Sequence, residues 1–291
     1  MRIKTKIFSG LLIFAASILF FALLKGQYIF TPQIDKGASP KGLDQVVNDA
    51  LASTEGTYGI AIKNLKTREN YYLNEHNQFE AASLYKIWVM ATVFNQIEQG
   101  KLEEDEILTQ DVSTLNSEFN IASEAAELTE GKVSFTTSEA INQMITISHN
   151  YAALLLSEKV GLSNVSKFLS KNNFAESSLG VPPQTTTYDI ASFFEKLYRN
   201  ELGSKENATK MLDILKKQQL NDGLPKYLSQ DVQIAHKTGD IGPFKHDAGI
   251  VFSDKGDYII AVMSESDSPL GAQERIAQVS KAVYNYFQKS S

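Results

Sequence analysis

The chain contains no cysteine among its 291 residues. Disulfide bonds, a thiol nucleophile and lipid attachment at a cysteine are therefore excluded, and stability has to come from the hydrophobic core. The four histidines show neither H-E-x-x-H nor H-x-H spacing, so we expect no metal site and no cofactor. The chain also lacks a G-x-S-x-G elbow, which leaves a conventional Ser-His-Asp triad without support.

An excess of basic residues is absent as well. The formal net charge is -6, whereas nucleic-acid binding depends on cationic side chains that neutralise phosphates. We therefore expect no nucleic-acid partner. Internal repeats and low-complexity tracts are not found either, which is typical of one compact unit or two closely packed halves.

The N-terminus is different in character from the rest of the chain. Three basic residues precede an uncharged, mostly apolar run from Ile7 to Leu24. A helix of this length spans about 27 Å, just enough for the hydrocarbon core of a bilayer. The run predicts that residues 1–30 form an uncleaved signal anchor, so that the protein crosses the cell membrane once and the remainder is extracytoplasmic. A cleaved signal peptide is the alternative.

Residues 31–42, with two prolines and two glycines, are predicted to be a linker, and residues 43–291 a folded domain. Strands are predicted at both ends of this domain and helices between about residues 83 and 220. This order predicts an α/β fold of the α+β kind: an antiparallel sheet completed by both termini, flanked by N- and C-terminal helices, with an all-helical inserted subdomain. The predicted strands are Tyr58–Leu65, Glu69–Leu73, Val232–Lys237, His246–Phe252 and Tyr258–Met263, with a hairpin turn at Asp254–Asp257, and the predicted terminal helices are Leu43–Leu51 and Gln273–Phe287.

The segment Ser83-Leu84-Tyr85-Lys86 combines a hydroxyl and an amine. On a helix this spacing places the two side chains one turn apart on the same face. The apolar residues that follow predict a buried helix from Leu84 to Gln99, so Lys86 is expected to be desolvated and its pKa lowered. A neutral Lys86 would then activate Ser83 as a nucleophile. The alternative is that Ser83 only caps a core helix while Lys86 extends to solvent.

Two further motifs follow in order. Ser148-His149-Asn150 precedes an apolar stretch, so its residues lie at a helix start, where capping is the simpler explanation. Lys237-Thr238-Gly239 ends a predicted strand before a turn, and a plain strand end is the alternative there. If they are functional, Ser148 would pass a proton to a leaving nitrogen, Asn150 would orient substrate, and Lys237 would supply a second cation.

The three motifs together, in this order, resemble the signature of class A β-lactamases and penicillin-binding proteins. The resemblance covers roughly Leu43 to Phe287 and implies that family's serine hydrolase domain. It implies Ser83 as the nucleophile, Lys86 as its base, Ser148 as the proton shuttle and Asn150 as an orienter of substrate and lysine. Lys237 and Thr238 would hold a substrate carboxylate, and Gly239 belongs to the same binding strand. The backbone N–H groups of Ser83 and Asp240 would form the oxyanion hole.

The chain departs from the class A pattern at three places, one of which is the strand at residues 248–251: it lacks the Arg that class A enzymes often use as a second carboxylate ligand, so Lys245 or His246 would have to serve. His149 replaces the usual Asp of the middle motif, which in the family mainly braces the turn. The E-x-x-L-N setting, whose Glu activates the deacylating water in class A enzymes, does not occur between Ser148 and Lys237. Glu176 is the only carboxylate in the corresponding loop, where it is expected to be a solvated side chain. We therefore predict an acyl-enzyme at Ser83 that forms with β-lactams and is released slowly.

Three functions remain open after these departures. The resemblance favours a β-lactamase-like serine hydrolase whose partner is a β-lactam. A D,D-peptidase-like cell-wall enzyme acting on a peptidoglycan-type peptide is the second possibility. A membrane-anchored sensor of β-lactams or cell-wall fragments, which keeps its acyl group, is the third.

Overall fold

A five-stranded antiparallel sheet organises the part of the chain that the computed structural model describes, residues 42–289. The strands are β1 Thr57–Asn64, β2 Asn70–Leu73, β3 Phe79–Glu80, β4 Ile107–Asp111, β5 Lys132–Thr136, β6 Gln184–Thr185, β7 Ile234–Ile241, β8 Phe244–Val251 and β9 Tyr258–Glu265. The helices are α1 Leu43–Leu51, α2 Lys86–Glu98, α3 Val112–Glu118, α4 Thr137–Thr146, α5 Asn150–Val160, α6 Leu162–Lys171, α7 Thr187–Tyr198, α8 Lys205–Leu215 and α9 Pro269–Lys289, with a 3-10 helix at Ala82–Tyr85.

The sheet has the order β2-β1-β9-β8-β7, and every pair is antiparallel. β1 pairs with β9 along its whole length, from Thr57 opposite Glu265 to Asn64 opposite Tyr258. The first and last parts of the domain therefore complete one sheet, which confirms the predicted topology. β7 is an edge strand, so one of its sides is free to meet the 3-10 helix.

The sheet is covered on both faces, which explains why β9 is almost continuously apolar. Ile260 and Val262 point into one core with α1 and α9, whereas Ile259 and Ala261 point into a larger core with the inserted helices. Side chains alternate between the two faces because successive residues of a strand point in opposite directions. At the centre of the larger core lies α2, whose residues 86–94 are all buried, as its apolar composition predicts.

The expectation of an all-helical insertion was wrong, because β4, β5 and the two-residue β6 lie within it. β4 and β5 form a two-stranded ladder within it, with Ile107 opposite Thr136 and Asp111 opposite Lys132. These strands are short and half exposed, and the 20 residues between them contain α3. Neither strand has the long apolar alternation by which a strand is recognised in sequence.

The predicted anchor and almost all of the predicted linker lie outside the described residues. Within residues 42–289, no helix is both long and apolar enough to cross a membrane. The same part of the chain contains no cluster of three or more histidine or carboxylate side chains that could hold a metal ion.

Candidate active site

Ser83 lies in the 3-10 helix, directly before α2, and is half buried. The residue before it, Ala82, has a left-handed backbone conformation, with φ +44°. Residues other than glycine rarely adopt this backbone conformation, and such backbone strain is found most often at functional sites. The prediction of a regular α-helix from Leu84 was wrong for this turn, because the α-helix begins only at Lys86.

Lys86 is fully buried, and its ammonium nitrogen contacts three oxygen atoms. Nζ donates to the carbonyl oxygen of Ser148 at 2.6 Å and to Oδ1 of Asn150 at 2.6 Å, and it lies 3.2 Å from Oγ of Ser148. Burial lowers the pKa of Lys86 to about 7, although the Glu127 carboxylate opposes this shift. When neutral, the amine keeps both short bonds and has a free lone pair for a hydroxyl proton.

The turn Ser148-His149-Asn150 directs these oxygen atoms at Lys86. Ser148 has a left-handed backbone, with φ +60°, and α5 begins at Asn150. Neither Ser148 nor Asn150 is the N-cap, contrary to the capping alternative, because Nδ1 of His149 accepts the backbone N–H of Ala152 at 3.1 Å. His149 therefore braces the turn by capping α5, and the side chains of Ser148 and Asn150 remain available to the site.

Lys237, which lies on β7, also contacts Ser148. It is fully buried, and its Nζ donates to Oγ of Ser148 at 3.0 Å and to the carbonyl oxygen of Thr238 at 2.9 Å. Burial holds its pKa well below the usual lysine range, and the positive charge of Lys86 lowers it further, against the effect of Asp247. The hydroxyl of Ser148 thus lies between two desolvated amines, which allows it to relay a proton.

Gly239 explains why the third motif ends in glycine. The sequence suggested that Gly239 belongs to a turn. This was wrong, because β7 continues to Ile241 in regular register with β8. A Cβ atom at Gly239 would lie 3.1 Å from Cδ2 of His246, 3.2 Å from the carbonyl oxygen of Ala81 and 3.3 Å from Cβ of Ala82. The absent side chain lets β7 pack directly against the 3-10 helix that carries Ser83.

The other residues of the third motif have different orientations. Thr238 is opposite Asp247 in the ladder and therefore shares that residue's face of the sheet, not the face of Lys237. Its backbone carbonyl, not its hydroxyl, contacts Lys237. Asp240 is exposed and forms an ion pair with Lys245. Its backbone continues the strand edge beside the 3-10 helix, where the sequence places an oxyanion donor.

His246 has a structural bond on each side of its ring. Its Nε2 bonds to the carbonyl oxygen of Glu80 at 2.8 Å, and its Nδ1 accepts the backbone N–H of Ser264 at 3.2 Å. Burial lowers the pKa of His246 to about 4, so the ring is neutral at physiological pH. It ties the segment before Ser83 to β8 and β9, and no motif in the sequence indicated this role.

Glu176 is held by its own loop. One carboxylate oxygen bonds to Nδ1 of His76 at 2.8 Å and the other accepts the hydroxyl of Thr186 at 2.7 Å. Its side chain is only partly exposed, so the expectation of a freely solvated carboxylate was wrong. One oxygen atom thus fixes the loop to the turn after β2, and the other binds the residue that caps α7.

Sequence reasoning missed Glu127, which lies between α3 and β5. Its carboxylate accepts a hydrogen bond of 2.5 Å from Nδ2 of Asn150. No motif includes it, and the only signal is its place in an acidic stretch that also contains Glu118, Glu124 and Glu130.

The site therefore comprises a hydroxyl on a strained turn, two buried amines, a bridging hydroxyl and an amide bound to a carboxylate. This set can transfer an acyl group to Ser83.

A family model described as the beta-lactamase enzyme family matches residues 42–287. Beta-lactamase VEB-1 of Pseudomonas aeruginosa is 22% identical to this chain, over 89% of this chain and 95% of that protein. The solved structure of PBP-A is 28% identical and has a TM-score of 0.75, covering 85% of this chain and 96% of that one. A PBP-A variant with the same score, identity and coverage is described as an acyl-enzyme complex with penicillin-G.

Proposed function

The chain belongs to the beta-lactamase enzyme family, and from this premise we propose that it is a serine hydrolase that forms an acyl-enzyme with β-lactams at Ser83. One observation carries the proposal. The hydroxyl of Ser148 lies 3.2 Å from the amine of Lys86 and 3.0 Å from that of Lys237, and both amines are buried. This arrangement moves protons at neutral pH, as attack by serine requires.

Acylation uses the neutral form of Lys86. Oγ of Ser83 attacks the β-lactam carbonyl carbon while its proton moves to Nζ of Lys86. The carbon–nitrogen bond of the ring then breaks, and the leaving nitrogen takes a proton from the hydroxyl of Ser148. Ser148 is reprotonated from Lys86, so the ester at Ser83 forms with every proton accounted for.

The remaining predicted residues bind and polarise the substrate. The backbone N–H groups of Ser83 and Asp240 stabilise the oxyanion of the tetrahedral intermediate, each donor contributing about 10²- to 10³-fold in rate. The substrate carboxylate favours the protonated form of Lys237 and pairs with it, and the backbone of Thr238 and Gly239 lines the strand edge along which the substrate lies. Asn150, which is exposed, donates from Nδ2 to the amide carbonyl of the substrate.

Incubation with a fluorescent penicillin tests the acylation step. We expect a covalent adduct located at Ser83 by mass spectrometry, no adduct with Ser83→Ala, and labelling slowed by about 10²- to 10⁴-fold with Lys86→Ala. An adduct of undiminished yield at another residue in Ser83→Ala would disprove the assignment of the nucleophile.

Release of the acyl group is proposed to be slow. Hydrolysis of the ester needs a base aimed at a water molecule beside the acyl carbonyl, and loss of such a base costs about 10²- to 10⁴-fold in rate. Glu176 is the only carboxylate in the loop where class A enzymes carry the Glu that activates water, and it already bonds to His76 and Thr186. This supports burst kinetics with weak steady-state turnover of penicillin.

The time course of the fluorescent adduct separates fast from slow release. We expect the label to persist long after free penicillin is removed, with the Glu176→Gln variant releasing it at the same rate. Rapid steady-state hydrolysis would contradict slow release, and trapping of the adduct by Glu176→Gln would then make Glu176 the water-activating base.

A D,D-peptidase-like activity is the second candidate, and the engaged carboxylate of Glu176 favours it because such an enzyme does not depend on fast β-lactam hydrolysis. Release of D-alanine from a peptidoglycan-type peptide ending in D-Ala-D-Ala would support it. Lasting acylation without peptide cleavage would support a sensor.

We also propose that residues 1–30 tether the enzyme to the cell membrane, with the hydrolase domain extracytoplasmic. What supports this is the uncharged run from Ile7 to Leu24 behind a basic N-terminus.

A further inference from the structure

Asn150 is held at both ends of its side-chain amide. Oδ1 accepts from Lys86 at 2.6 Å, and Nδ2 donates to the Glu127 carboxylate at 2.5 Å. Because the oxygen faces a lysine and the nitrogen faces a carboxylate, the orientation of the amide is defined. The Glu127 carboxylate thus sits beside the group that, in the proposed function, binds the amide carbonyl of the substrate.

The position of Glu127 is built into the fold by its neighbour Leu128. The hydroxyl of Tyr151 accepts the N–H of Leu128 at 3.1 Å and lies 2.7 Å from the carbonyl oxygen of the same residue. The side chain of Asn116 donates to that carbonyl oxygen at 2.8 Å. Tyr151 is buried in α5, one residue after Asn150, so the same helix carries the amide and anchors the loop that presents the carboxylate.

Within residues 42–289, no basic side chain forms an ion pair with Glu127. Its contact is with a neutral amide, and the side chain is exposed to solvent. The surrounding stretch, residues 118–130, adds three further glutamates and no basic residue. A cationic group brought in by a substrate would therefore meet a solvent-exposed carboxylate beside Asn150, whose charge otherwise acts on Lys86 only at longer range.

We propose that Glu127 selects substrates that carry a positively charged amino group next to the amide carbonyl bound by Asn150. This inference rests on the proposed function. Nδ2 of Asn150 has two hydrogen atoms, of which one is used by Glu127 and the other is free for the substrate carbonyl. The Glu127 carboxylate and the substrate carbonyl oxygen then accept from the same nitrogen and lie next to each other. An ammonium group one carbon away from that carbonyl therefore reaches Glu127. The substrate class is α-aminoacyl β-lactams and peptides with the same group.

Two penicillins that differ only by this amino group test the selection. Benzylpenicillin lacks it and ampicillin carries it, and below about pH 7 an α-amino group with a pKa of about 7.7 to 8.0 is protonated. Acylation rates at Ser83 are measured for both by competition with a fluorescent penicillin, and deacylation rates by mass spectrometry. The proteins are the wild type, Glu127→Gln and Glu130→Gln, the last of which removes an equal charge from the same loop.

We expect the wild type and Glu130→Gln to be acylated by ampicillin about 5- to 30-fold faster than by benzylpenicillin, the range of a charge-assisted hydrogen bond. Glu127→Gln should bring this ratio close to one, because the change in the pKa of Lys86 alters both acylation rates equally and only the ampicillin rate loses the contact with the carboxylate. Raising the ionic strength should reduce the wild-type ratio.

Several results would overturn the inference. These are a wild-type ratio near one, a ratio unchanged in Glu127→Gln, and an equal fall of both acylation rates, which would make Glu127 a positioning residue for Asn150. Slower deacylation of both adducts with an unchanged ratio would make it a base for the attacking water. If neither penicillin acylates the wild type, the proposed function itself fails and the inference fails with it.

Discussion

Lys86 shows at the scale of a single residue how burial creates reactivity. Water is excluded from its amine, so the charged form is destabilised and its pKa falls to about 7, while the Glu127 carboxylate limits the fall. An exposed lysine would be protonated at neutral pH and useless as a base. The apolar residues of α2 that bury Lys86 are therefore also what makes it a base.

The pH dependence of acylation follows from this balance. Acylation of the free enzyme should rise with pH as Lys86 loses its proton, with a limb centred at about pH 7. Glu127→Gln removes an effect that raises the pKa of Lys86, so the limb should move to lower pH. The measurement is the labelling rate by fluorescent penicillin against pH, with Glu130→Gln as the charge-matched control. A limb that stays in place in Glu127→Gln would show that this carboxylate does not act on Lys86.

His149 gives a second prediction at this scale. Burial lowers its pKa against the opposing charge of Glu127, so the folded protein favours the neutral ring that accepts from Ala152. The stability contributed by the neutral His149 cap is complete above the usual histidine pKa of about 6.5. It is lost as the pH falls through the lower pKa that His149 has in the folded protein. His149→Ala should reduce the free energy of unfolding by about 1 kcal/mol at neutral pH.

Urea unfolding at neutral and acidic pH measures this effect. His149→Asn keeps a neutral cap and should be nearly as stable as the wild type at neutral pH, but should lose less stability on acidification. An equal acid sensitivity in the wild type and His149→Asn would show that the cap does not titrate.

At the scale of elements, the site exists because an edge strand and a 3-10 helix touch. The packing of β7 against Ala81 and Ala82 brings Lys237 and the backbone of Asp240 to the turn that carries Ser83. His246 tightens the same junction by bonding to Glu80. The glycine of the third motif is needed for this close approach, since interiors this dense do not absorb an extra methyl group.

Gly239→Ala should therefore separate β7 from the 3-10 helix. We expect acylation to fall by at least about 10²-fold, as for an oxyanion donor displaced, and the free energy of unfolding to fall by about 1 to 3 kcal/mol. Labelling rates and urea unfolding test this, with Gly180→Ala as the control because a Cβ there meets its nearest atom at 3.4 Å, an ordinary contact. Equal labelling rates for Gly239→Ala and the wild type would disprove the steric role.

At the scale of the whole molecule, both hydrophobic cores are built from residues 42–289. One joins α1 and α9 to the sheet, and the other joins the inserted helices to its opposite face. Because β1 pairs with β9, the beginning of the domain cannot be removed without unmaking the sheet.

The full-length protein should accordingly fractionate with membranes, and a truncated protein beginning at Gln33 should be soluble, folded and labelled at the same rate by fluorescent penicillin. Membrane fractionation and labelling of the two proteins test this. A mature N-terminus found downstream of Leu24 would show instead that the segment is a cleaved signal peptide.

The sequence by itself determined the order of the main elements and predicted the residues of the candidate site. Periodicity and apolar composition predicted α1 with its observed bounds, because these signals are local, and the order of the predicted strands indicated that both ends of the domain share one sheet. The motifs predicted Lys86, Ser148, Asn150 and Lys237, whose side chains the structure joins in one hydrogen-bonded group, and Ser83, which lies on the 3-10 helix directly before Lys86.

Only the tertiary structure decided the contacts between residues far apart in the chain. Gly239 as a point of contact with the 3-10 helix and Glu127 on the amide of Asn150 depend on which surfaces meet. No periodicity reports such a meeting, since a carboxylate in an exposed acidic loop has the same sequence signal wherever the loop lies. The packing of the loop against α5, and not any sequence pattern, places the Glu127 carboxylate beside Asn150.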